Sequence, residues 1–482
     1  MRHINTSLLL ILILSLFGML QAQTQPPAPG SPKAVSIPTV ASKELANGLT
    51  VGVVRKASSP LVTVRLVVKN GAGVEATNKA GLADITASML TKGTKTKTAT
   101  QIAESVEFLG GSIFSGAGWN GSFVAVTVTS DKLPQAMSIL ADVVLNPKFA
   151  QDELDLLKSQ TLDGLTYSLK QPSFLASYVA SKYSYGEHPA GGTRASVESI
   201  TQKDIREYYS MNFRPDASVL IFTGDTTQAE ASAMAARFFS RWKSPTSGVG
   251  SGTGESIGRG MTPLFRRMLV VDLPKSGQAA VMYAKRLFPI NRSDPKFFTA
   301  SVLNSVLGGG YSSRLNYEIR IKRGLSYGAG SSFVWRHSSV NFNTQVQTKN
   351  ESAPEVASLI LAELKRMVDT QVSDEELVPR KAVLTGSFGR NLEVGSQLAA
   401  AIGDLYVFGL PTSNLNSYVG DINAVNQQQI KDFASAYLLG GDVIIVGDHS
   451  IFKDALAKQF PGTIIDVIKA DDIDLSKENL RK

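Results

Sequence analysis

Cysteine is absent from all 482 residues. That absence excludes disulfides, thiolate metal sites, a cysteine nucleophile and a lipid anchor built on cysteine. Histidine is scarce as well. His3, His188, His337 and His449 are the whole set, and no two are close enough in sequence to share a helical turn, so no helix offers the paired imidazoles of a zinc motif. Runs of like charge are also missing. The formal charge of +8, from 49 basic and 41 acidic residues, is dispersed, which argues against a nucleic-acid interface and for an ordinary solvated surface. Gly308, Gly309 and Gly310 are not followed by the Gly-Lys-Ser/Thr of a phosphate loop. Residues 324–328 fit G-x-S-x-G in letters only, because Ser326 follows a predicted helix and enters a predicted strand, the reverse of a nucleophile elbow. The apolar run at residues 8–20 is shorter than the roughly 18 to 20 residues a membrane span needs.

What is present reads as a globular chain, 43% hydrophobic and 19% charged, long enough for more than one core. Arg2, the 8–20 run and a cut site after Ala22 make residues 1–22 a secretory signal, which predicts a periplasmic or secreted protein. Residues 23–41 carry five prolines and read as an extended tail. Folding is expected from Ser42. Residues 49–54 and 61–68 predict strands, and residues 100–109, 133–145 and 150–169 predict helices. Residues 112–130 are strand-rich, and a buried strand is expected at 219–224. Residues 244–260 hold six glycines and read as a flexible linker dividing the chain almost in half.

The second half repeats the first. Residues 219–225 return as 443–448, and the spacing between Asp225 and Asp448 equals that between Leu154 and Leu377. The helix ending Met89-Leu90 pairs with one ending Val306-Leu307 at a slightly shorter spacing. The prediction is an α+β protein of two homologous two-layer α/β sandwich domains, at 42–243 and 261–467, followed by a charged tail at 468–482.

Two stretches carry the chemistry. Residues 81–94 predict a helix with Leu82, Ile85 and Met89 on one apolar stripe, Asp84 and Ser88 together on another face, and Gly93 as a stop. This frame resembles the zinc helix of the insulinase/pitrilysin metallopeptidases, including the mitochondrial processing peptidases, which runs G-L-A-H-F-L-E-H-M-L-F-K-G-T. In that family two histidines bind zinc and the glutamate beside the second activates water, the H-x-x-E-H arrangement. Here the three positions are Asp84, Ala87 and Ser88, and the family's distant third ligand, a glutamate, falls near Asp163. The resemblance therefore implies the scaffold of a zinc site with no metal bound in this chain. His188, in a turn the family shares, reads as a structural residue.

Residues 308–327 are similar to the family's G-G-G-x-S-S-R-L…R-x-x-x-G-L-x-Y segment. Ser312 or Ser313 is expected to cap a helix, Gly324 to end it, and a strand to begin at Leu325. In the family an arginine and a tyrosine seven residues on hold substrate carbonyls and stabilise the tetrahedral intermediate; by position these are Arg320 and Tyr327. Read from the residues alone, Arg320 can equally complement a helix C-terminus and Tyr327 can be core. The resemblance covers about 42–467 and the duplication is a hallmark of the family. It implies a non-catalytic subunit of a heterodimeric zinc metalloendopeptidase. The zinc and the H-x-x-E-H helix would come from a partner subunit, and the substrate would be a peptide or unfolded segment added as a strand to a sheet edge. The alternative is a peptide-binding or scaffold pseudopeptidase with no hydrolytic complex.

Overall fold

The computed structural model describes residues 39–244 and 267–482. The signal-like segment, the Pro-rich stretch up to residue 38 and the linker beyond Ser244 lie outside the described residues.

Two six-stranded mixed sheets form, one in each half. The first contains β1 (Ala41–Glu44), β2 (Thr50–Arg55), β3 (Leu61–Val68), β4 (Ser112–Ala117), β5 (Ser122–Thr129) and β6 (Ser218–Gly224), in the order β1-β2-β6-β3-β5-β4. The second contains β7 (Met268–Asp272), β8 (Ala279–Leu287), β9 (Ala329–Trp335), β10 (Val340–Thr348), β11 (Asp442–Gly447) and β12 (Ile465–Lys469), in the order β12-β7-β11-β8-β10-β9. The five strands β2, β6, β3, β5 and β4 correspond one for one to β7, β11, β8, β10 and β9, so the duplicated α+β fold is present. The remaining edge differs. β1 precedes its sheet and runs antiparallel to β2, whereas β12 arrives last and runs parallel to β7.

The period-two pattern explains the faces. In β3, Val62, Val64, Leu66 and Val68 enter the first core, and in β5 the matching set is Val124, Val126 and Val128. Burying such a side chain contributes about 1.5–3 kcal/mol, an upper figure before chain entropy is counted. β6 and β11 are buried along their whole length, as central strands covered on both faces must be.

What covers the second face joins the halves. The Pro172–Tyr183 helix leaves the first half and packs on β8, β10 and β11 of the second sheet, through Leu175, Ala176, Val179 and Ala180. The Gly395–Val407 helix does the converse, laying Leu398, Ala399 and Ile402 on β3 and β6 of the first sheet. Gly403 allows the close approach, since a Cβ there would stand 2.9 Å from a Val67 methyl.

Four local expectations change. The 81–94 helix ends at Met89, and Gly93, at φ 132°, bridges to Thr98 instead. Ser313 makes no side-chain cap. Its hydroxyl donates to the Gly310 carbonyl, and only Arg314–Asn316 is α-helical before a π-turn at Tyr317–Ile321. The strand expected from Leu325 begins at Ala329, because the Leu325 amide is held by the Ile319 carbonyl and Ser326 closes a turn onto Gly328. At the C-terminus, the residues expected as a charged tail from 468 are packed: Ile468, Leu475 and Leu480 are buried beside the Pro172–Tyr183 helix. Among the described residues no helix is long and apolar enough to cross a membrane.

Candidate functional site

The Leu82–Met89 helix starts at Gly81, whose φ of 93° favours glycine and whose Cβ position would stand a tight 3.2 Å from the backbone of Gly191 and Gly192. Its N-terminal amides are capped from outside. The two carboxylate oxygens of Glu75 accept from the Gly81 and Ala83 amides, each at 2.7 Å. Burial pushes the Glu75 carboxyl up to about 8, against the pull of those amides. The His188 Nδ1 lies 3.6 Å from Glu75 Oε1, its ring lies tilted 4.9 Å from that of Trp119, and burial lowers its pKa. Glu75 was not singled out from sequence; a lone acid six residues before a helix carries too weak a signal.

The three positions of the lost motif have separate fates. Ala87, in place of the base, is 0% exposed and part of the first core. Ser88 is half-buried on the adjoining face. Asp84 is half-buried, and its Oδ1 accepts from the Ala117 amide at 3.3 Å, while burial raises its pKa. Asp163 is exposed on the Gln151–Ser168 helix. The ligand positions do not fit zinc: the Asp84 carboxylate is engaged with an amide, Ser88 is a neutral hydroxyl, Asp163 is exposed on another helix, and a methyl stands in place of the base. Among the described residues no group of three His, Cys, Asp or Glu side chains could hold a metal ion.

Asp84 acts on the edge of the sheet. The Gly118 amide bonds the Gly121 carbonyl inside the β4–β5 hairpin, so by alternation Ile113, Ser115 and Ala117 turn their main-chain groups outward from edge strand β4. Asp84 takes the Ala117 donor and so ties the helix to the strand. Ile113 and Ser115 keep outward-facing main-chain groups, and Phe114 between them is exposed. Edge strand β9 is tied at both ends. The Trp335 carbonyl accepts from Asn120 of the first half at 2.9 Å, and the Ser331 amide donates to the Gly308 carbonyl.

Arg320 lies in the π-turn, half-buried, with its guanidinium 5.0 Å from the Tyr311 ring. A π-turn widens the backbone locally and is frequent where a side chain must be re-aimed. Tyr327 is 90% exposed in the turn before β9, so it is not a core residue. Neither side chain has an ion pair or hydrogen bond among the described residues.

A buried polar cluster locks the halves nearby. Glu187 accepts from Arg336 at 2.9–3.3 Å and from Asn341 at 2.9 Å, and the Arg336 guanidinium lies 4.7 Å from the Trp119 ring. The pair is well buried on both sides, so each charge depends on the other.

Comparison with known proteins agrees with this geometry. Residues 50–181 match the insulinase family (peptidase family M16) and residues 199–384 match the peptidase M16 inactive domain. An uncharacterized zinc protease of Rickettsia bellii is 26% identical over 371 residues, covering 76% of this chain and 87% of that protein. The non-peptidase homolog YmxG of Helicobacter pylori is 23% identical over 390 residues, covering 78% and 86%. Among solved structures, a peptidase M16 inactive domain from Pseudomonas fluorescens superposes with a TM-score of 0.76 at 25% identity, covering 85% of this chain and 98% of that one. A protease from Helicobacter pylori shares the fold at a TM-score of 0.79 and 18% identity, covering 86% and 100%. With a duplicated fold and both family matches, the chain belongs to the insulinase (peptidase M16) family, and its zinc helix lacks that family's ligands.

Proposed function

We propose that this chain is the exported, non-catalytic subunit of a heterodimeric zinc metalloendopeptidase that cleaves peptides or unfolded segments. The observation that carries the reading is the contrast between two sites. The zinc-helix positions have been converted to structural use, with Ala87 in the core and Asp84 on the Ala117 amide, whereas Arg320 and Tyr327 have no hydrogen-bond or salt-bridge partner within the described chain. A guanidinium and a phenol so presented are suited to donate to a substrate carbonyl and to the negative charge it gains during hydrolysis. In this reading the partner subunit contributes the zinc-bearing H-x-x-E-H helix, and edge strand β4 contributes main-chain donors and acceptors for an extended peptide.

One observation favours a second reading, a peptide-capturing scaffold with no hydrolytic complex: Asp84 has become a tie to the very strand a substrate would join. The deciding experiment pairs the purified chain with an insulinase-family protein that carries H-x-x-E-H and assays each alone and both together on an unfolded peptide. Hydrolysis is expected from the mixture. A mixture no faster than the zinc-bearing chain by itself would leave the scaffold reading.

A further inference from the structure

A cavity of about 320 Å³ opens between the Pro172–Tyr183 helix and the outer face of the second sheet, with Trp119 and the residues after Tyr185 closing one side. That volume is at the small end of sites that take a compact organic group. Its walls are mostly apolar, and two large side chains at its edge, Phe174 and Val334, are each left 40% exposed. Polar side chains line it as well, His188 and Asn343 among them. The charges of Glu187 and Arg336 cancel in their ion pair. Asn341, 2% exposed, donates its amide to Glu187, but its buried Oδ1 has no partner. The Tyr178 hydroxyl also has no hydrogen-bond partner among the described residues, and burial pushes its pKa up to about 12, so it is a neutral donor and acceptor.

We infer that this cavity binds the side chain of a tyrosine or tryptophan in an extended peptide segment. The apolar walls and the neutralised ion pair disfavour a charged group, which would lose its hydration without compensation. The unpartnered Tyr178 hydroxyl on the cavity wall favours a side chain that brings a polar hydrogen, such as a phenol or an indole N–H, over one that brings none. A peptide is favoured over a free small molecule by the adjoining edge strand. With Trp335 and Ser331 already tied, Phe333 keeps the outward main-chain pair of β9, and a segment pairing there directs a neighbouring side chain to the same face as Val334, on the cavity wall. The inference deepens the proposed function by naming a residue class in the substrate, and it rests on that reading only for the fate of the peptide after capture.

The test uses the isolated chain, without partner or zinc, so its failure is separate from failure of the heterodimer. Isothermal titration with N-acetyl amides of tyrosine, tryptophan, phenylalanine, leucine, glutamate and lysine should give saturable binding for the first two. Phenylalanine should bind roughly fivefold more weakly, the size of one hydrogen bond, and the charged amides should not bind. An unstructured peptide with a single tyrosine should bind more tightly than the tyrosine amide, and its Tyr-to-Glu version should lose that binding. Ser177→Trp, which fills the cavity from an exposed helix position, and Val334→Glu, which places a charge on its wall, should each abolish binding while the far-ultraviolet spectrum is kept. Lack of saturation up to millimolar amide, equal binding of leucine or glutamate, or binding that survives in whichever variant folds would each overturn the inference.

Discussion

At the scale of single residues, the loss of a metal site has altered more than the ligands. Ala87 is now core, so rebuilding the motif as Asp84→His, Ala87→Glu and Ser88→His forces a carboxylate into a packed interior and removes the tie to Ala117. Overpacking alone costs about 1–3 kcal/mol. The triple variant should melt well below wild type and gain neither stoichiometric zinc by elemental analysis nor chelator-sensitive hydrolysis, since the third ligand is also missing. Full activity in that variant would show that the interior is more forgiving than the packing implies.

Glu75 and His188 give the same region a pH signature. A carboxyl raised to about 8 when folded is protonated in the native state and ionised in the unfolded one above its ordinary value, so its stabilisation is lost as pH rises toward 8. His188, whose pKa is lowered, works in the opposite direction, costing stability in acid and ceasing to matter above its ordinary value of about 6.5. Between about pH 6.5 and 8 the Glu75 contribution therefore stands clear of His188. Thermal melts should show wild type losing stability across that window more steeply than Glu75→Gln. Parallel curves would mean that the helix amides hold the Glu75 carboxyl ionised despite its burial and the Asp84 charge beside it.

At the scale of elements, two exchanged helices hold the sheets. Gly403→Leu places a branched side chain where a Cβ alone would meet Val67 at 2.9 Å, so the Gly395–Val407 helix must lift from β3 and β6. A loss of about 1–3 kcal/mol in denaturant unfolding is expected. Arg336→Ala leaves Glu187 buried with only Asn341 for company, and a loss of about 3–5 kcal/mol is expected from that single truncation. These elements also mark where sequence reading stops. The strands of β3 and β5 were legible because valine alternates along them, and the Leu133–Leu145 helix because its apolar period is unbroken. The Asp225/Asp448 repeat exposed the duplication. No periodicity could show that Pro172–Tyr183 and Gly395–Val407 cross to the opposite sheet, because an apolar stripe does not name the surface it covers. The strand predicted at Leu325 failed for a local reason, since the Ser326 turn consumes the hydrogen bonds a strand would need. Of the candidate site, Asp84, Ala87 and Ser88 were legible as substitutions within a motif. The use of Asp84 as a tie to β4 was not, because it depends on a strand more than thirty residues away.

At the scale of the whole molecule, the exchanged helices change what cleavage of the linker should do. The Gly/Ser composition of 244–260 makes it the expected site of limited proteolysis, giving two resistant fragments of comparable size. Because each half covers the open face of the other's sheet, the nicked halves should still elute together on size-exclusion chromatography and part only in denaturant. Separate elution under native conditions would mean that the exchange contributes little to cohesion.

The central claim is that this subunit lends Arg320 and Tyr327 to an active site whose zinc belongs to a partner. The most direct measurement is peptide-cleavage kcat of the heterodimer with Arg320→Ala and with Tyr327→Phe, after size-exclusion chromatography has established that each variant assembles. Neither side chain has a hydrogen bond or ion pair among the described residues, and the Arg320 guanidinium meets only the exposed Tyr311 ring, so assembly should be unchanged and melting temperature nearly so. Removal of one donor to a developing oxyanion costs about 2.7–4 kcal/mol, so kcat should fall roughly 100- to 1,000-fold, less if the two donors share the load. Variants that assemble and cleave at the wild-type rate would contradict the account.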